Sequence, residues 1–119
     1  MTVSAFAAVA AASEDADAKP VLVVETGPDF APFDYLCGDQ FAGIDMDIVR
    51  AVCSEMGYRV EFGSNSFDSI VISVQRHKAD MGASGFTIND DRKRHVDFTD
   101  SYTGVEQVAV VLKTSSIDS

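Results

Sequence analysis

Apolar and polar positions along this chain follow two rhythms, and the points where the rhythm changes mark its elements. PVLVVE (residues 20–25) is a short, nearly continuous run rich in β-branched residues, the pattern of a strand buried on both faces. TGPDFAPFDY follows; Gly27, Pro28 and Pro32 break it into a loop, although it carries Phe30, Phe33 and Tyr35. DYLCGDQFAGI then reads as a small hairpin around residues 37–40. From Asp45 the period lengthens. Ile48, Val49, Val52, Cys53 and Met56 fall on one helical stripe, which Gly57 ends. YRVEF (58–62) alternates like a strand, and Ser66 is placed to cap a second helix with Phe67, Ile70, Val71 and Val74 on its inner stripe. ADMGAS (79–84) predicts a third strand, INDDRKRH (88–95) a short helix, and GVEQVAVVLK (104–113) a last strand. This β-α-β-α-β-α-β order predicts an α/β domain. It would be a three-layer sandwich, with right-handed crossovers placing helices on both faces of a mostly parallel sheet.

Composition alters that picture mainly at the start of the chain. The length of 119 residues is enough for one domain with its own core. The formal net charge of −10 argues against nucleic acid or an anionic membrane surface as a partner. No apolar run approaches the roughly 20 residues of a membrane span. The opening TVSAFAAVAAASEDADA is different, a short Ala/Val/Phe run followed by an acidic, small-residue stretch. Residues 1–19 therefore read as the remnant of a secretory signal or as a disordered leader. Ala10, Ala11 and Ala12 supply cleavage context, and nothing basic precedes Lys19. Cys37 and Cys53 are too few for a disulfide scaffold or a zinc site. Cys53 lies on the apolar stripe and reads as a buried free thiol, whereas Cys37 sits in the turn-like LCGDQ; a bridge between them is left open by the spacing.

In an open α/β sheet, ligands bind beyond the carboxyl ends of the strands. Three loops leave those ends here: residues 26–34, 63–66 and 84–89. The last begins SGFTINDDRKRHVDFTD (84–100), in which Asn89 reads as an N-cap with Asp90 and Asp91 in the first turn. Arg92 falls in that same turn, where the helix dipole disfavours a cation, so an anion is expected to meet it. Its planar fork matches a carboxylate, and Ser84, Gly85 and Thr87 add hydroxyls and backbone donors. A surface pair with Asp97 or Asp100 is the alternative. Phe30 and Phe67 each follow a strand-end loop and could flank an apolar ligand stem, with core packing as the alternative. Phe33 reads as core. His77 and His95 read as exposed helix ends without metal or triad spacing. No G-x-S-x-G, H-E-x-x-H or glycine-rich phosphate loop is present, and no cofactor or metal is called for. Asp45/Asp47 and Asp90/Asp91 read as structural carboxylates at helix starts.

Several of these segments together resemble a known family. GIDMDIVRAVCSEMG (43–57) is similar to the shared segment of extracellular solute-binding proteins of the polar amino-acid uptake family. FAPFDY, ADMGASGFTINDDRKRHVDFTDSY and VEQVAVVLK occur in the order and spacing found there, so the resemblance covers about residues 21–113. It implies one lobe of a type II periplasmic-binding-protein clamshell, outside the cytoplasm. The clamshell would trap an amino acid or similar small carboxylate and deliver it to the membrane permease of an ABC transporter. Arg92 resembles the arginine that grips the ligand's α-carboxylate, and Thr87 the residue whose hydroxyl and N–H join it. Gly85 would help through its backbone, Ser84 would line the same pocket, and Phe30 and Phe67 match the residues that flank the ligand.

The departures from that pattern are informative. Gly27-Pro28 stands where many members carry an acidic side chain, which makes basic amino acids less expected as ligands. Gly82 replaces a bulkier apolar residue, His77 a helix-ending glycine, and Ser101 the proline common before Tyr102. On the resemblance, residues 20–113 are expected to be the first lobe and 114–119 the start of the hinge to a missing second lobe. A half-site cannot bury most of a ligand's surface, so weak or no binding by this chain alone is expected. Other readings of the same fold are an extracytoplasmic dehydratase acting on prephenate-like or arogenate-like acids and a ligand-sensing domain. No acid/base pair in the sequence favours the enzyme. A phosphate-receiver domain lacks its strand-end acids, since Asp80 begins its strand.

Overall fold

The structure is a computed structural model that describes residues 19–116. In chain order its elements are β1 (Val21–Thr26), β2 (Asp29–Phe30), β3 (Asp34–Cys37), β4 (Gln40–Ala42) and α1 (Ile44–Glu55). There follow β5 (Arg59–Ser64), α2 (Phe67–Gln75), β6 (Met81–Gly82) and α3 (Asp90–Lys93). β5, β1 and β6 form a parallel sheet in that order, with Val24 of β1 opposite Phe62 and Met81. β2, β3 and β4 make a separate antiparallel ribbon inserted between β1 and α1.

The strand alternation decides which helix covers which face. Leu22 and Val24 of β1 point the same way as Val60 and Phe62 of β5, and they pack with Met46, Val49 and Cys53 of α1. Glu25 points the opposite way. It accepts from the Ser73 hydroxyl of α2 at 2.9 Å and from Asn65 Nδ2 at 2.9 Å. The two helices therefore lie on opposite faces, which makes the expected three layers. Val24, Met46 and Ile70 are fully buried. Burying a side chain of that size is worth about 1.5–3 kcal/mol, so these few residues carry much of the stability of a small sheet. Cys53 is buried among them and Cys37 is exposed; both are free thiols, and burial pushes the Cys53 thiol up from its ordinary pKa.

Several expectations are corrected. The buried line of α1 is Met46, Val49 and Cys53, whereas Val52 and Met56 are about half and two-thirds exposed, at 47% and 64%. The 3.6-residue period fits both stripes, and only the position of the sheet selects one. Ser66 does stand at the N-cap of α2, but its hydroxyl bonds the Ser69 hydroxyl instead of a backbone N–H. The loop 26–34 contains β2, which pairs with β3. The third strand is shorter than expected. Its ladder is extended by Asp80 N–H to Val23 carbonyl and by Ala83 N–H to Glu25 carbonyl, both 2.9 Å. The last expected strand is not formed: residues 104–112 have no regular structure and are exposed. A β-branched run favours extended backbone, but a strand is stabilised by ladder bonds and cross-strand contacts, and none is made by this segment among the described residues. The leader, apart from Lys19, lies outside the described residues.

α1 starts without a side-chain cap. Gly43 is its N-cap residue, and the Ile44 and Asp45 N–H groups donate to the carbonyls of Pro32 and Phe33 at 2.9 and 3.0 Å. The preceding loop thus satisfies donors that a Ser or Asp would ordinarily take. This docking requires glycine at position 43, where φ is 123° and a Cβ would stand 2.2 Å from the Phe33 carbonyl oxygen. Gly43→Ala is expected to destabilise the fold by about 2–4 kcal/mol, read as a lowered urea midpoint at unchanged slope. A variant within a few tenths of a kcal/mol of the parent would show that the helix start does not depend on this contact.

Candidate functional site

The carboxyl ends of β1, β5 and β6 meet at Gly27. Its N–H donates to the Ser84 hydroxyl at 3.1 Å, and a Cβ there would lie 3.3 Å from the Asn65 carbonyl oxygen and 3.6 Å from the Phe67 nitrogen. The Asn65 N–H donates to the Thr26 carbonyl at 2.9 Å, closing the same corner from the β5 side. All three strand-end loops named from the sequence are therefore in contact. An open hollow of about 620 Å³ is lined here by Gly27, Pro28, Asp29, Ser64, Asn65, Ser66 and Phe67.

Two buried carboxylates hold the loop after β6 from beneath. Asp34, at the start of β3, is fully buried and accepts from the Thr26 hydroxyl at 2.7 Å and, through the same Oδ2, from the Ser84 hydroxyl. Its Oδ1 has no partner among the described residues. Burial raises the Asp34 pKa above the ordinary 3.8, the Ser84 and Thr26 hydroxyls pull it down, and the charges of Asp45 and Asp29 add to the rise. Asp45 is buried too. Its Oδ2 accepts from the Gly85 N–H at 2.6 Å and its Oδ1 from the Tyr102 hydroxyl at 2.6 Å. Partial burial, then the bond to Asp45 and the charges of Asp45 and Asp34, hold the Tyr102 hydroxyl well above its usual range.

Arg92 lies outside this acid network. Its N–H donates to Asn89 Oδ1 at 2.9 Å, the side-chain cap expected of α3, and its Nη1 donates to the Thr87 carbonyl at 2.9 Å. The guanidinium sits over two rings, 5.3 Å from the centroid of Phe67 and 5.4 Å from that of Phe86. Those rings stack on each other at 4.6 Å. The ion pairs among the described residues are Arg50 with Asp47 and Arg94 with Asp91, so the surface pair of Arg92 with Asp97 or Asp100 is not made. What remains is a guanidinium fixed by one carbonyl and two aromatic faces, with donors to spare.

The other sequence candidates sit around it in different ways. Phe67 contributes to the platform and is 38% exposed. Phe30 is half exposed and stacks on Phe33 at 5.3 Å; its ring edge lies 2.8 Å from where a Gly85 Cβ would stand. Gly85 has φ 58°, and with its N–H given to Asp45 the loop turns there under the Phe30 ring. Ser84 is buried, its hydroxyl engaged with Asp34 and Gly27. Thr87 is exposed, and its carbonyl is the group that meets Arg92. His77 and His95 are exposed, His95 beside Gln75 at 3.5 Å.

Four participants were not singled out from the sequence, or were read differently: Phe86, Asp34, Tyr102 and Asp45. Phe86 stands between two named loop residues, and that position is its only signal. Asp34 and Tyr102 carry no local mark. Asp45 reads as a helix-start carboxylate, but the Pro32 and Phe33 carbonyls cap α1, which leaves Asp45 free to reach across to Gly85 and Tyr102. Among the described residues no group of three or more His, Cys, Asp or Glu side chains is placed to hold a metal ion.

A model of the bacterial extracellular solute-binding proteins, family 3, matches residues 22–117. The chain belongs to that family. Among curated relatives, the arginine-binding extracellular protein ArtP of Bacillus subtilis is 33% identical over 101 residues, 85% of this chain and 40% of ArtP. Among solved structures, an ancestral arginine-binding protein bound to arginine superposes with a TM-score of 0.68 at 35% identity, covering 71% of this chain and 38% of that one. An ancestral cyclohexadienyl dehydratase superposes with a TM-score of 0.65 at 31% identity, covering 70% and 35%. The three layers are thus part of a lobe of the type II periplasmic-binding-protein fold. This family 3 chain spans about 40% of the length of the curated relative.

The Asp34 carboxylate gives the site a defined pH signature. Because its folded pKa is raised, the fold favours the protonated acid, and its contribution to stability is lost as pH rises from 3.8 through the raised value. Asp34→Asn keeps an acceptor for Thr26 and Ser84 and removes the charge. Its stability relative to the parent is expected to improve with rising pH across that window and then level off. Asp34→Ala strands two buried hydroxyls and is expected to cost about 1–3 kcal/mol at pH 7. Urea titrations between pH 3 and pH 7 check both; a pH-independent difference for Asp34→Asn would mean that the acid is not perturbed.

Proposed function

We propose that this chain is the carboxylate-gripping lobe of an extracytoplasmic amino-acid-binding protein that delivers its ligand to an ABC-transporter permease. The observation that carries the reading is the Arg92 guanidinium, set on the Phe67–Phe86 pair, tied to the Thr87 carbonyl and without a carboxylate partner among the described residues. A planar fork held in one place recognises a carboxylate bidentately, and the rings beneath it lower the local dielectric and strengthen the contact. Phe30 and Phe67 border the space in which the rest of the ligand would lie. Family membership supports the permease and the location outside the cytoplasm as parts of this reading. Names such as that of ArtP make arginine the first ligand to try, although Gly27 leaves a cationic side chain without an acid at that position.

A second reading, a dehydratase holding a substrate carboxylate with the same arginine, has the likeness to the ancestral dehydratase behind it. It has less support in the side chains, because the buried acids Asp34 and Asp45 are engaged by Thr26, Ser84, Gly85 and Tyr102.

The test is a titration of the chain with L-arginine and then other free amino acids, followed by amide chemical shifts. Shifts are expected to cluster at residues 84–92 and at Phe67. Arg92→Ala should weaken binding by about ten- to a hundredfold with an unchanged urea midpoint, and Arg92→Lys should recover only part of it. Saturating shifts elsewhere, or equal affinity in Arg92→Ala, would rule out the arginine as the grip.

A further inference from the structure

We propose that Asp45 is a positioning residue of this site, through which the segment carrying Tyr102 sets the conformation of the arginine loop. The inference rests on the reading of Arg92 just given and adds a control element to it. Asp45 lies in the first turn of α1, where an acid ordinarily serves the helix end. Here the helix end is already served by the Pro32 and Phe33 carbonyls, and the buried side chain bridges two segments distant in sequence. One oxygen takes the Gly85 N–H at 2.6 Å, the other the Tyr102 hydroxyl at 2.6 Å. Both distances are those of charge-assisted bonds.

The Gly85 bond is a lever on the site because of where it acts. Gly85 holds φ 58° under the edge of Phe30, and it is followed at once by Phe86 and Thr87, the ring and the carbonyl that hold Arg92. Asp34 grips the preceding residue, Ser84, so consecutive loop residues are held by two separate acids. Asp34 reaches only elements of the sheet corner. Asp45 reaches Tyr102, which is half exposed and leads into the exposed segment 103–112. Whatever moves that segment and breaks the Tyr102 bond leaves one Asp45 oxygen unpaired, and the carboxylate then reorients away from the Gly85 N–H. The arginine loop would sense the state of residues 103–112 through a single side chain.

Three variants of the full chain test this: Tyr102→Phe, Asp45→Ala and Asp45→Asn, each read by the amide signals of residues 84–92 and by L-arginine affinity. Tyr102→Phe removes one hydroxyl at a half-exposed site. It is expected to move the Gly85, Phe86 and Thr87 amide signals and to weaken arginine binding about three- to tenfold. Asp45→Ala should shift the Gly85 amide proton upfield and weaken binding at least as much. In Asp45→Asn the carbonyl accepts from Gly85 and the NH2 donates to the Tyr102 oxygen, so both signals and affinity should return towards the parent. A structural residue only would lower the unfolding midpoint and leave loop signals and affinity of the folded chain unchanged, which would overturn the proposal. If Asp45→Ala does not fold, an unmoved Gly85 amide in Tyr102→Phe overturns it equally. If the parent binds no arginine, as a half-site allows, the affinity arm is silent on Arg92 while the amide signals still decide the role of Asp45.

Discussion

The Ser84 hydroxyl accepts from the Gly27 N–H and donates to the buried Asp34 carboxylate, which also takes the Thr26 hydroxyl, and the carboxyl end of the sheet is arranged around that arrangement. An unpaired carboxylate at this depth would cost several kcal/mol, and two hydroxyl donors on one oxygen offset part of it. In return, the end of β1, the start of β3 and the loop after β6 are held at one point. Without it, three loops would leave three parallel strands, the last of them held to β1 only by the short β6 ladder and its two flanking backbone bonds. The hollow at Gly27, the turn at Gly85 and the approach of Phe67 to the sheet all depend on that closure.

Stability and the proposed recognition are divided between separate groups in this arrangement. Asp34, Thr26 and Ser84 are buried and bonded to one another through Asp34 Oδ2, whereas Arg92 is partly exposed and rests on ring faces and one carbonyl. A guanidinium held by cation–π contacts retains its charge and most of its donors, which a salt bridge would have consumed. That separation is what a receptor needs: a loop whose shape is set from below by acids, presenting a cation above. Family 3 membership accounts for the order of the segments, and the geometry accounts for why the arginine is available.

Much of the fold was legible in the sequence because it rests on local pattern. The run PVLVVE, the two amphipathic helices, the hairpin at residues 37–40 and the Asn89 cap all appear where periodicity and turn chemistry put them. The misreadings share one cause. Val52 and Met56 lie on a stripe that the helical period allows, but the sheet sits against Met46, Val49 and Cys53. Residues 104–112 have the composition of a strand but pair with no strand among the described residues. In the site, Arg92 was visible as a planar cation beside small hydroxyl residues, although α3 is a single turn in which Arg92 also belongs to the last turn, so the helix dipole does not set it apart. Phe86 left no signal, since a lone aromatic in a loop carries no period.

What the sequence by itself determined is most of the elements, their α/β order, the family, and Arg92 as the candidate cation of the site. These follow from properties that neighbouring residues share: period, capping and spacing. Which acids are buried, and which groups they bind, was decided only in three dimensions. Asp45 and Tyr102 are 57 residues apart, as are Gly27 and Ser84, and Asp34 is 50 from Ser84. A hydrogen bond over such separations leaves no trace in local pattern, because it forms only when the parallel crossovers bring the strand ends together.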